Sequence, residues 1–289
     1  MTVLFQQITI IGVGLIGGSL ARAARAKGLC AEFVGCGRDR VHLQQAVDLG
    51  VIDRFDTDIT RAVEKADLVV VGAPVGAMAV VFNQIKDFVR KDAVITDVGS
   101  SKQSVVEDAV LAFGDLPEGF VPGHPIAGTE KSGVAASFAE LFENRCTILT
   151  PTADSAQWAI DKLSKLWKGV GAEVVCMDAA HHDEVLAATS HIPHVLAFAL
   201  VDTLGRMQES KEIFKYAAGG FRDFTRIASS DPEMWRDICL HNSDAIVHVL
   251  QLFRKELDTL EEAIKEKDSD GIKTILQRAK HLRDTNVLV

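Results

Sequence analysis

The sequence predicts an α/β fold in which a doubly wound parallel sheet is followed by an all-helical C-terminal domain. In the first half, continuous Val/Ile-rich runs alternate with helix-length segments, which is typical of a parallel sheet covered on both faces. The first run leads directly into a glycine-rich turn at Gly12, and no strand-like run follows about Asp178. We therefore expect a sheet domain over residues 1–177 and a helical domain over residues 178–289.

Seven strands are expected in the sheet domain, each a short run rich in β-branched residues and bounded by Gly, Pro or polar residues. The strands are predicted at Gln7–Gly12, Glu32–Gly37, Asp67–Val71, Ala93–Val98, Gly119–Pro122, Cys146–Thr150 and Glu173–Met177. Between them lie helix-length segments such as Ile16–Lys27 and Val75–Val89. Strand alternating with helix is the pattern of consecutive βαβ units.

The helical domain is predicted from three segments. Ala179–Met207 is long and apolar, with Pro193 inside it as a kink or break, and Asp231-Pro232 begins a further helix. The last helix is expected at about Gly271–Arg283. Between these, apolar residues recur at intervals of 4, 3, 4, 3 and 4, at Ile246, Leu250, Phe253, Leu257, Leu260 and Ile264. This spacing favours a seam with a partner helix and hence a homodimer, although packing within one subunit is the alternative.

Composition narrows the class of function. Hydrophobic residues make up 47% of the 289 residues, charged residues 25%, and the formal net charge is -9, so a globular protein is expected and nucleic acid is disfavoured as a partner. Charged residues or Gly interrupt the longest apolar runs, so we expect them to fall short of the ~20 residues of a membrane helix, and we expect no signal peptide at the N-terminus. The five scattered cysteines lack a CxxC pair. We expect a cytoplasmic protein with no membrane partner.

The turn after the first strand carries a GxGxxG pattern, Gly12-Val13-Gly14-Leu15-Ile16-Gly17. Gly12 permits a tight turn, Gly14 allows the backbone to approach a pyrophosphate, and Gly17 allows close helix–strand packing. Leu15 and Ile16 open the helix whose N-terminal amides face the phosphates. The pattern and its context predict a Rossmann-type dinucleotide site, and a turn that serves packing alone is the alternative.

The end of the second strand bears on the choice of cofactor. An NAD site usually has an acidic residue there, whereas this chain has Gly37, followed by Arg38, Asp39 and Arg40. Gly37 leaves room for a 2′-phosphate and Arg38 can pair with it, which favours NADP. NAD stays open because Asp39 can turn toward the ribose. After the third predicted strand, the turn containing Ala73-Pro74 is expected to pass under the nicotinamide ribose.

Polar residues follow the next two predicted strands, at the edge where ligands bind in open α/β sheets. His124 lies between Gly123 and Pro125, and its pKa class suits accepting a proton from a substrate alcohol. Ser100 or Ser101 can hydrogen-bond the same hydroxyl. A structural histidine and a helix-capping serine are the alternatives.

A second polar cluster lies in the helical domain. Arg222 and Arg226 share a face if their segment is helical, and they can then bind substrate carboxylates in a bidentate manner. A solvated charged face with Asp223 as partner is the alternative. Trp235 is expected either to line the substrate pocket or to pack in the core.

Four histidines of the helical domain raise the question of a metal. They are His181, His182, His191 and His194. Their spacing matches no zinc pattern, and HExxH is absent from the sequence. We therefore expect no metal ion.

Five motifs in order, spanning both predicted domains, resemble the prephenate/arogenate (cyclohexadienyl) dehydrogenase family of tyrosine biosynthesis. They are Gly12–Leu20 (GVGLIGGSL), Asp97–Lys102 (DVGSSK), Gly123–Gly133 (GHPIAGTEKSG), Ser190–His194 (SHIPH) and Gly219–Trp235 (GGFRDFTRIASSDPEMW). The resemblance covers nearly the whole chain. It implies a nucleotide-binding domain, a helical substrate and dimerisation domain, and NAD(P)-dependent oxidative decarboxylation of prephenate or arogenate.

The resemblance also implies roles for individual residues. His124 corresponds to the histidine that hydrogen-bonds and polarises the ring hydroxyl, Ser100 to the serine that assists it, and Arg226 to the arginine that binds a substrate carboxylate. The remaining pocket residues implied are His194, His191, Glu130, Asp223, Trp235 and the basic Arg222. Many NAD-using relatives carry an acidic residue where this chain has Gly37, so NAD preference does not carry over.

The anionic substrate requires local positive charge in a protein of net charge -9. Arg222, Arg226 and Lys102 are expected to supply it. Two other functions remain as alternatives. A 3-hydroxyacid or 6-phosphogluconate-type dehydrogenase would use a lysine of the second domain, Lys211 or Lys215. A non-catalytic NADP-binding sensor would leave the polar residues at the sheet edge without a role.

Overall fold

A five-stranded parallel sheet forms the centre of the N-terminal part of the chain, with strand order β3-β2-β1-β4-β5. The computed structural model describes residues 3–129 and 131–286. Its strands are β1 (Phe5–Ile11), β2 (Cys30–Cys36), β3 (Arg54–Asp56), β4 (Leu68–Val71), β5 (Val94–Asp97), β6 (Gly123–Pro125), β7 (Cys146–Leu149) and β8 (Glu173–Cys176). The helices that accompany them are α1 (Leu15–Ala26), α2 (Arg40–Asp48), α3 (Ile59–Val63), α4 (Met78–Ile85), α5 (Gln103–Phe113) and α6 (Gln157–Gly169).

Helices cover both faces of the sheet, and each face has its own apolar core. One core includes Leu20, Phe33 and Trp167, and the other includes Phe82 and Phe120, all fully buried. The strand order reverses direction between β1 and β4, which opens a crevice at the carboxyl ends of these strands. The prediction of a doubly wound parallel sheet is confirmed.

One strand prediction was wrong, and one strand was not predicted. The predicted strand Gly119–Pro122 forms only a single bridge, between Phe120 and Ile95, and the strand itself is β6, which pairs antiparallel with β7. The backbone ladder to β5 ends here because the next amide that faces β5, that of Gly123, donates to the Asp97 side chain, while the Pro122 carbonyl already accepts from Thr150 on the β7 side. The edge strand β3 was missed because its three residues, Arg-Phe-Asp, contain no β-branched run.

The helical region contains α7 (Ala179–Leu186), α8 (Ile192–Gly205), α9 (Ser210–Lys215), α10 (Gly219–Thr225), α11 (Pro232–His241), α12 (Ser243–Lys265) and α13 (Ser269–Asn286). A π-helical turn, Ala187–His191, joins α7 to α8 directly before Pro193, which confirms the predicted irregularity. Asp231 caps α11 by accepting from two backbone amides, and Pro232 occupies the first turn, as the sequence predicts. Within residues 3–129 and 131–286, no strand follows β8.

The run Ala179–Gly205 corrects one expectation. By length and composition alone, this run of 27 residues, which contains an 18-residue window with a mean hydropathy of 1.4, is long and apolar enough to cross a membrane. The prediction that every apolar run falls short of that length was therefore wrong. Core helices pass the same test, and this run carries His182, Asp183 and His191, which are buried and hydrogen-bonded within the protein.

The chain divides into two compact units, Met1–Ser243 and Asp244–Val289. The second unit consists of nearly all of α12 together with α13. Large apolar side chains on both helices are exposed, among them Leu257 at 47%, Ile264 at 58% and Leu276 at 57%. The predicted seam is thus helical. Of its six residues, Leu257 and Ile264 are exposed in a single chain, Ile246 is buried and the other three are half-buried.

Candidate active site

The glycine turn after β1 fits a bound dinucleotide. Gly12 has a φ of +90°, and a Cβ there would lie 2.6 Å from the carbonyl oxygen of Gly72. A Cβ on Gly17 would lie 2.7 Å from Ile10, which accounts for close packing of α1 on β1. In contrast, a Cβ on Gly14 would meet nothing within 4 Å. This open space at the N-terminus of α1 is what a pyrophosphate requires.

Other predicted cofactor residues flank this turn. Leu15 and Ile16 begin α1 and are half-buried. Ala73 and Pro74 follow β4 at the same sheet edge and lead into a short 3₁₀ turn, Val75–Ala77. The two segments lie side by side because β1 and β4 are neighbours in the sheet.

The residues predicted to select the cofactor follow β2. The Asp39 carboxylate accepts from two backbone amides in the first turn of α2, at 2.8 and 3.2 Å, and so acts as its N-cap. Arg40 stacks its guanidinium over the Phe55 ring at 5.4 Å. Arg38 is exposed directly after Gly37. Asp39 is thus occupied, while Arg38 extends into solvent.

A chain of three side chains forms the centre of the site. His124 Nδ1 lies 2.9 Å from His182 Nε2, and His182 Nδ1 lies 2.8 Å from Asp183 Oδ1. The Asp183 carboxylate also accepts from the backbone amides of Lys102 at 2.8 Å and Gln103 at 2.9 Å, at the start of α5. All three members are buried. This Asp183–His182–His124 relay joins α7 to the strand β6 that carries His124.

The hydrogen-bond directions in the relay fix its tautomers. A carboxylate with three donors around it is an acceptor only, so His182 donates through Nδ1 and its Nε2 is a bare acceptor. His124 must therefore donate through Nδ1, which leaves its Nε2 without a proton. The outward nitrogen of His124 is thereby prepared to accept a proton from a hydroxyl group.

The surroundings keep His124 neutral. Burial, followed by the nearby His182, Lys102 and His191, holds the pKa of His124 well below its ordinary value of 6.5. A group that stays unprotonated in mildly acidic solution can act as a base there. The pKa direction therefore agrees with the hydrogen-bond geometry.

Lys102 does not have the role expected for it. It is fully buried, and its Nζ donates to Asp97 Oδ2 and, at 2.8 Å, to the carbonyl oxygen of Gly123. A lysine neutralised by a buried carboxylate cannot attract an anionic substrate from solvent. The expectation that Lys102 joins an attracting basic cluster was wrong.

The two candidate serines differ in their surroundings. Ser101 is fully buried, and its hydroxyl faces Ser104 in α5 at 3.4 Å. Ser100 is half-buried, and its backbone interacts with the His191 ring. His191 is itself buried, accepts from Asn242 Nδ2 at 3.1 Å, and has a pKa lowered to about 4, chiefly by burial. Ser100 therefore lies on the side of the histidine cluster, whereas Ser101 faces its own helix.

His194 and Trp235 form the wall nearest Arg226. Their rings stack with centroids 3.9 Å apart, and His194 Nδ1 donates to the Ser190 carbonyl oxygen at 2.9 Å. Burial lowers the pKa of His194, and the positive charge of Arg226 lowers it further. Trp235 Nε1 is buried with no acceptor in the described part of the chain. The only N–H of a neutral His194 is used by Ser190 and the indole N–H is buried, so the guanidinium is the group on this side that suits a ligand carrying carboxylate oxygens.

The remaining predicted residues lie on or near α10. Arg222 and Asp223 are exposed on α10, and Arg226 begins the 3₁₀ turn that follows it. Glu130 lies outside the described residues. No three potential metal ligands come together within residues 3–129 and 131–286. Of the four histidines, His182 instead bonds His124 and Asp183, and His191 bonds Asn242.

Sequence reasoning missed four functional side chains: His182, Asp183, Asn242 and the partner of Lys102, Asp97. Adjacent His182 and Asp183 in an apolar helix were the available signal, because charged and polar residues seldom enter a core without partners. Asn242 donates to the Asp183 carbonyl oxygen at 2.9 Å as well as to His191. Only the fold reveals the pairings of His182 with His124 and of Asn242 with His191 and Asp183, since their members lie 58, 51 and 59 positions apart in the sequence.

Comparison with known proteins agrees with this geometry. Residues 20–176 match the family model "Prephenate dehydrogenase, nucleotide-binding domain", and residues 178–278 match "Prephenate dehydrogenase, dimerization domain". The chain belongs to the prephenate dehydrogenase family. It is 42% identical over 283 residues to the cyclohexadienyl dehydrogenase of Zymomonas mobilis, covering 93% of this chain and 92% of that one. It is also 38% identical over 279 residues to the prephenate dehydrogenase of Bacillus subtilis, covering 96% and 75%.

Solved structures of family members superpose closely on this one. The prephenate dehydrogenase of Aquifex aeolicus, in complex with hydroxyphenyl propionate and NAD+, has a TM-score of 0.90 at 39% identity, covering 96% of this chain and 97% of that one. The arogenate dehydrogenase of Synechocystis has a TM-score of 0.82 at 27% identity, covering 98% and 100%. Family membership favours the prephenate/arogenate assignment over a hydroxyacid-type dehydrogenase and a non-catalytic sensor.

Proposed function

We propose that this prephenate dehydrogenase family member catalyses the oxidative decarboxylation of prephenate, arogenate or both, with an NAD(P) cofactor, in tyrosine biosynthesis. The observation that carries the proposal is the Asp183–His182–His124 relay, which leaves a bare imidazole nitrogen at the ligand edge of a dinucleotide-binding sheet. Such a nitrogen accepts the proton of a substrate alcohol as the alcohol carbon is oxidised.

The proposed chemistry balances with the groups present. The O–H bond of the ring hydroxyl breaks, and its proton passes to His124 Nε2. The C4–H bond breaks with loss of hydride, and the bound nicotinamide supplies the hydride acceptor. The C1–carboxylate bond then breaks, carbon dioxide leaves, and its bonding electrons complete an aromatic phenolate, which takes the proton back from His124 Nε2 to give the phenol. Aromatisation drives the reaction, so the protein mainly orients the substrate and accepts one proton.

Substrate binding is assigned to the wall formed by Arg226, His194 and Trp235. We assign Arg226 to a carboxylate of the substrate, because a guanidinium makes strong charge-assisted hydrogen bonds to carboxylates. His194 and Trp235 line the same side through their ring stack. Ser100 assists His124, and its half-buried position favours it over Ser101. Ser101, Arg222, Asp223 and Glu130 complete the proposed pocket.

We propose NADP as the preferred cofactor. The Asp39 carboxylate is engaged as the cap of α2, while the exposed Arg38 is free to approach a 2′-phosphate. Arg38→Ala should therefore raise the KM for NADP about tenfold or more and leave the KM for NAD within about twofold, since a charge-assisted bond contributes roughly 1.5–3 kcal/mol. Equal effects on the two cofactors would contradict the 2′-phosphate assignment.

The function itself is tested by turnover. Purified protein is supplied with prephenate or arogenate, each with NAD or NADP, and the absorbance of the reduced nicotinamide is followed. The proposal expects stoichiometric formation of reduced cofactor, carbon dioxide and a phenolic product with at least one of the four combinations. Absence of turnover in all four, with the cofactor demonstrably bound, would refute it.

Assembly and location complete the proposal. We propose a cytoplasmic homodimer, with residues 1–177 binding the cofactor and residues 178–289 providing substrate contacts and the dimer interface. Exposed apolar side chains on α12 and α13, such as Leu257 and Leu276, supply the surface that a second copy would cover. Sedimentation equilibrium should give a mass twice that of one chain. The Leu257→Arg variant should give a lower mass, closer to that of a single chain.

A further inference from the structure

The buried Asp97–Lys102 ion pair touches the catalytic strand at one residue only. Lys102 Nζ donates to the carbonyl oxygen of Gly123 at 2.8 Å, and Asp97 Oδ1 accepts from the Gly123 amide at 3.2 Å. Both charged side chains are fully buried. The two polar groups of Gly123 are therefore held by one carboxylate and one ammonium group, directly before His124.

The position of this pair in the fold explains why side chains are needed there. The chain pairs with β5 through the bridge between Phe120 and Ile95, and then leaves it to pair with β7 on the other side. At Gly123 the side toward β5 thus lacks a continuing backbone ladder, and Asp97 and Lys102 occupy it. A Cβ on Gly123 would lie 3.2 Å from Thr96 Oγ1, so the strand sits tightly against β5.

We propose that Lys102 and Asp97 are positioning residues for catalysis, which clamp the Gly123 peptide and thereby set the place and charge state of the His124 imidazole. The inference rests on the proposed function for the role of His124. The clamp acts on the backbone that carries the imidazole, whereas the relay acts on its Nδ1. Because a displacement of about 1 Å can cost 100-fold in rate, fixing this peptide bears directly on turnover.

The clamp also has an electrostatic consequence. Lys102 is among the groups that lower the pKa of His124, after burial and His182. Removing its positive charge should therefore raise that pKa, and Asp97, left without its partner, should act in the same direction.

The test uses Lys102→Met and the uncharged double variant Asp97→Asn/Lys102→Met in the full-length protein. We expect kcat to fall at least tenfold in both, with the Kd for the cofactor within about threefold of the parent. The double variant is included because a lone buried carboxylate can prevent folding. Lys86→Met, at an exposed lysine after α4, is the matched control and should retain parental kcat.

A second readout needs no turnover. In protein labelled with ¹⁵N-histidine, the His124 imidazole should titrate at higher pH in Lys102→Met than in the parent, by at least half a unit. Parental kcat and an unmoved His124 titration in a folded variant would overturn the inference. If the parent lacks dehydrogenase activity but the titration moves, the proposed function fails while the clamp stands.

Discussion

The substitution Asp183→Asn tests the relay at the point farthest from the substrate. The Asp183 carboxylate accepts from His182 Nδ1, from the Lys102 amide and from the Gln103 amide, at 2.8 to 2.9 Å. An asparagine has one acceptor oxygen and one NH₂ group, so it cannot serve donors on both sides. His182 Nδ1 and the Lys102 amide share Oδ1, whereas the Gln103 amide is on Oδ2. An asparagine whose oxygen keeps the Gln103 bond therefore turns its NH₂ toward His182 and reverses that tautomer. His124 Nε2 then carries a proton and cannot act as the base.

The expected loss follows from what a general base contributes. That contribution is about 10²–10⁴-fold in rate, or roughly 3–5 kcal/mol at about 1.36 kcal/mol per tenfold. We expect kcat for Asp183→Asn to fall by about 100-fold or more, with the cofactor Kd within about threefold of the parent.

The control for this experiment lies on the same helix. Asp178→Asn alters the exposed N-cap of α7, which accepts from the amides of Ala180 and His181, and should leave kcat unchanged. Nitrogen-15 spectra of labelled histidines provide the direct check on tautomers. A kcat for Asp183→Asn within threefold of the parent, or an unchanged His124 tautomer, would refute the relay.

Three further predictions concern the same site. His124→Asn should lower kcat by about 100-fold or more with little change in cofactor affinity, since it removes the base alone; near-normal turnover would remove that assignment. Arg226→Ala should raise the KM for substrate about ten- to 100-fold by deleting a charge-assisted contact, and an unchanged KM would place the carboxylate elsewhere. Because the pKa of His124 is lowered, the base stays unprotonated below pH 6.5. The acid limb of kcat/KM should therefore lie below that pH, and a limb above it would contradict a buried neutral imidazole.

Much of the fold followed from the sequence because local signals agreed with the final packing. The Val/Ile runs, the glycine turn at Gly12 and the Asp231-Pro232 helix start each depend on neighbouring residues only. Errors occurred where long-range pairing decides: Arg54–Asp56 becomes a strand only because β2 lies beside it, and β6 begins at Gly123 because β7 pairs with it.

The candidate site was predictable in part for the same reason. His124, Ser100 and Arg226 stand in motifs that a sequence displays. The relay and the clamp cannot be read from such motifs, because their contacts are long-range. Asp183 bonds the start of α5 across 80 residues, and Lys102 bonds Gly123 across 21. Lys102 was misread because a lysine normally remains in solvent, and only the fold shows that Asp97 neutralises it.

The central claim is that His124 Nε2 receives the proton of a ring hydroxyl beside the bound cofactor. A crystal structure of the protein with its cofactor and a para-hydroxyphenyl carboxylate ligand tests this most directly. The account predicts the phenolic oxygen within hydrogen-bonding distance of His124 Nε2, about 2.6–3.2 Å, and a carboxylate on the side of Arg226. A phenolic oxygen bound elsewhere, with the His124 ring facing away from the ligand, would contradict it.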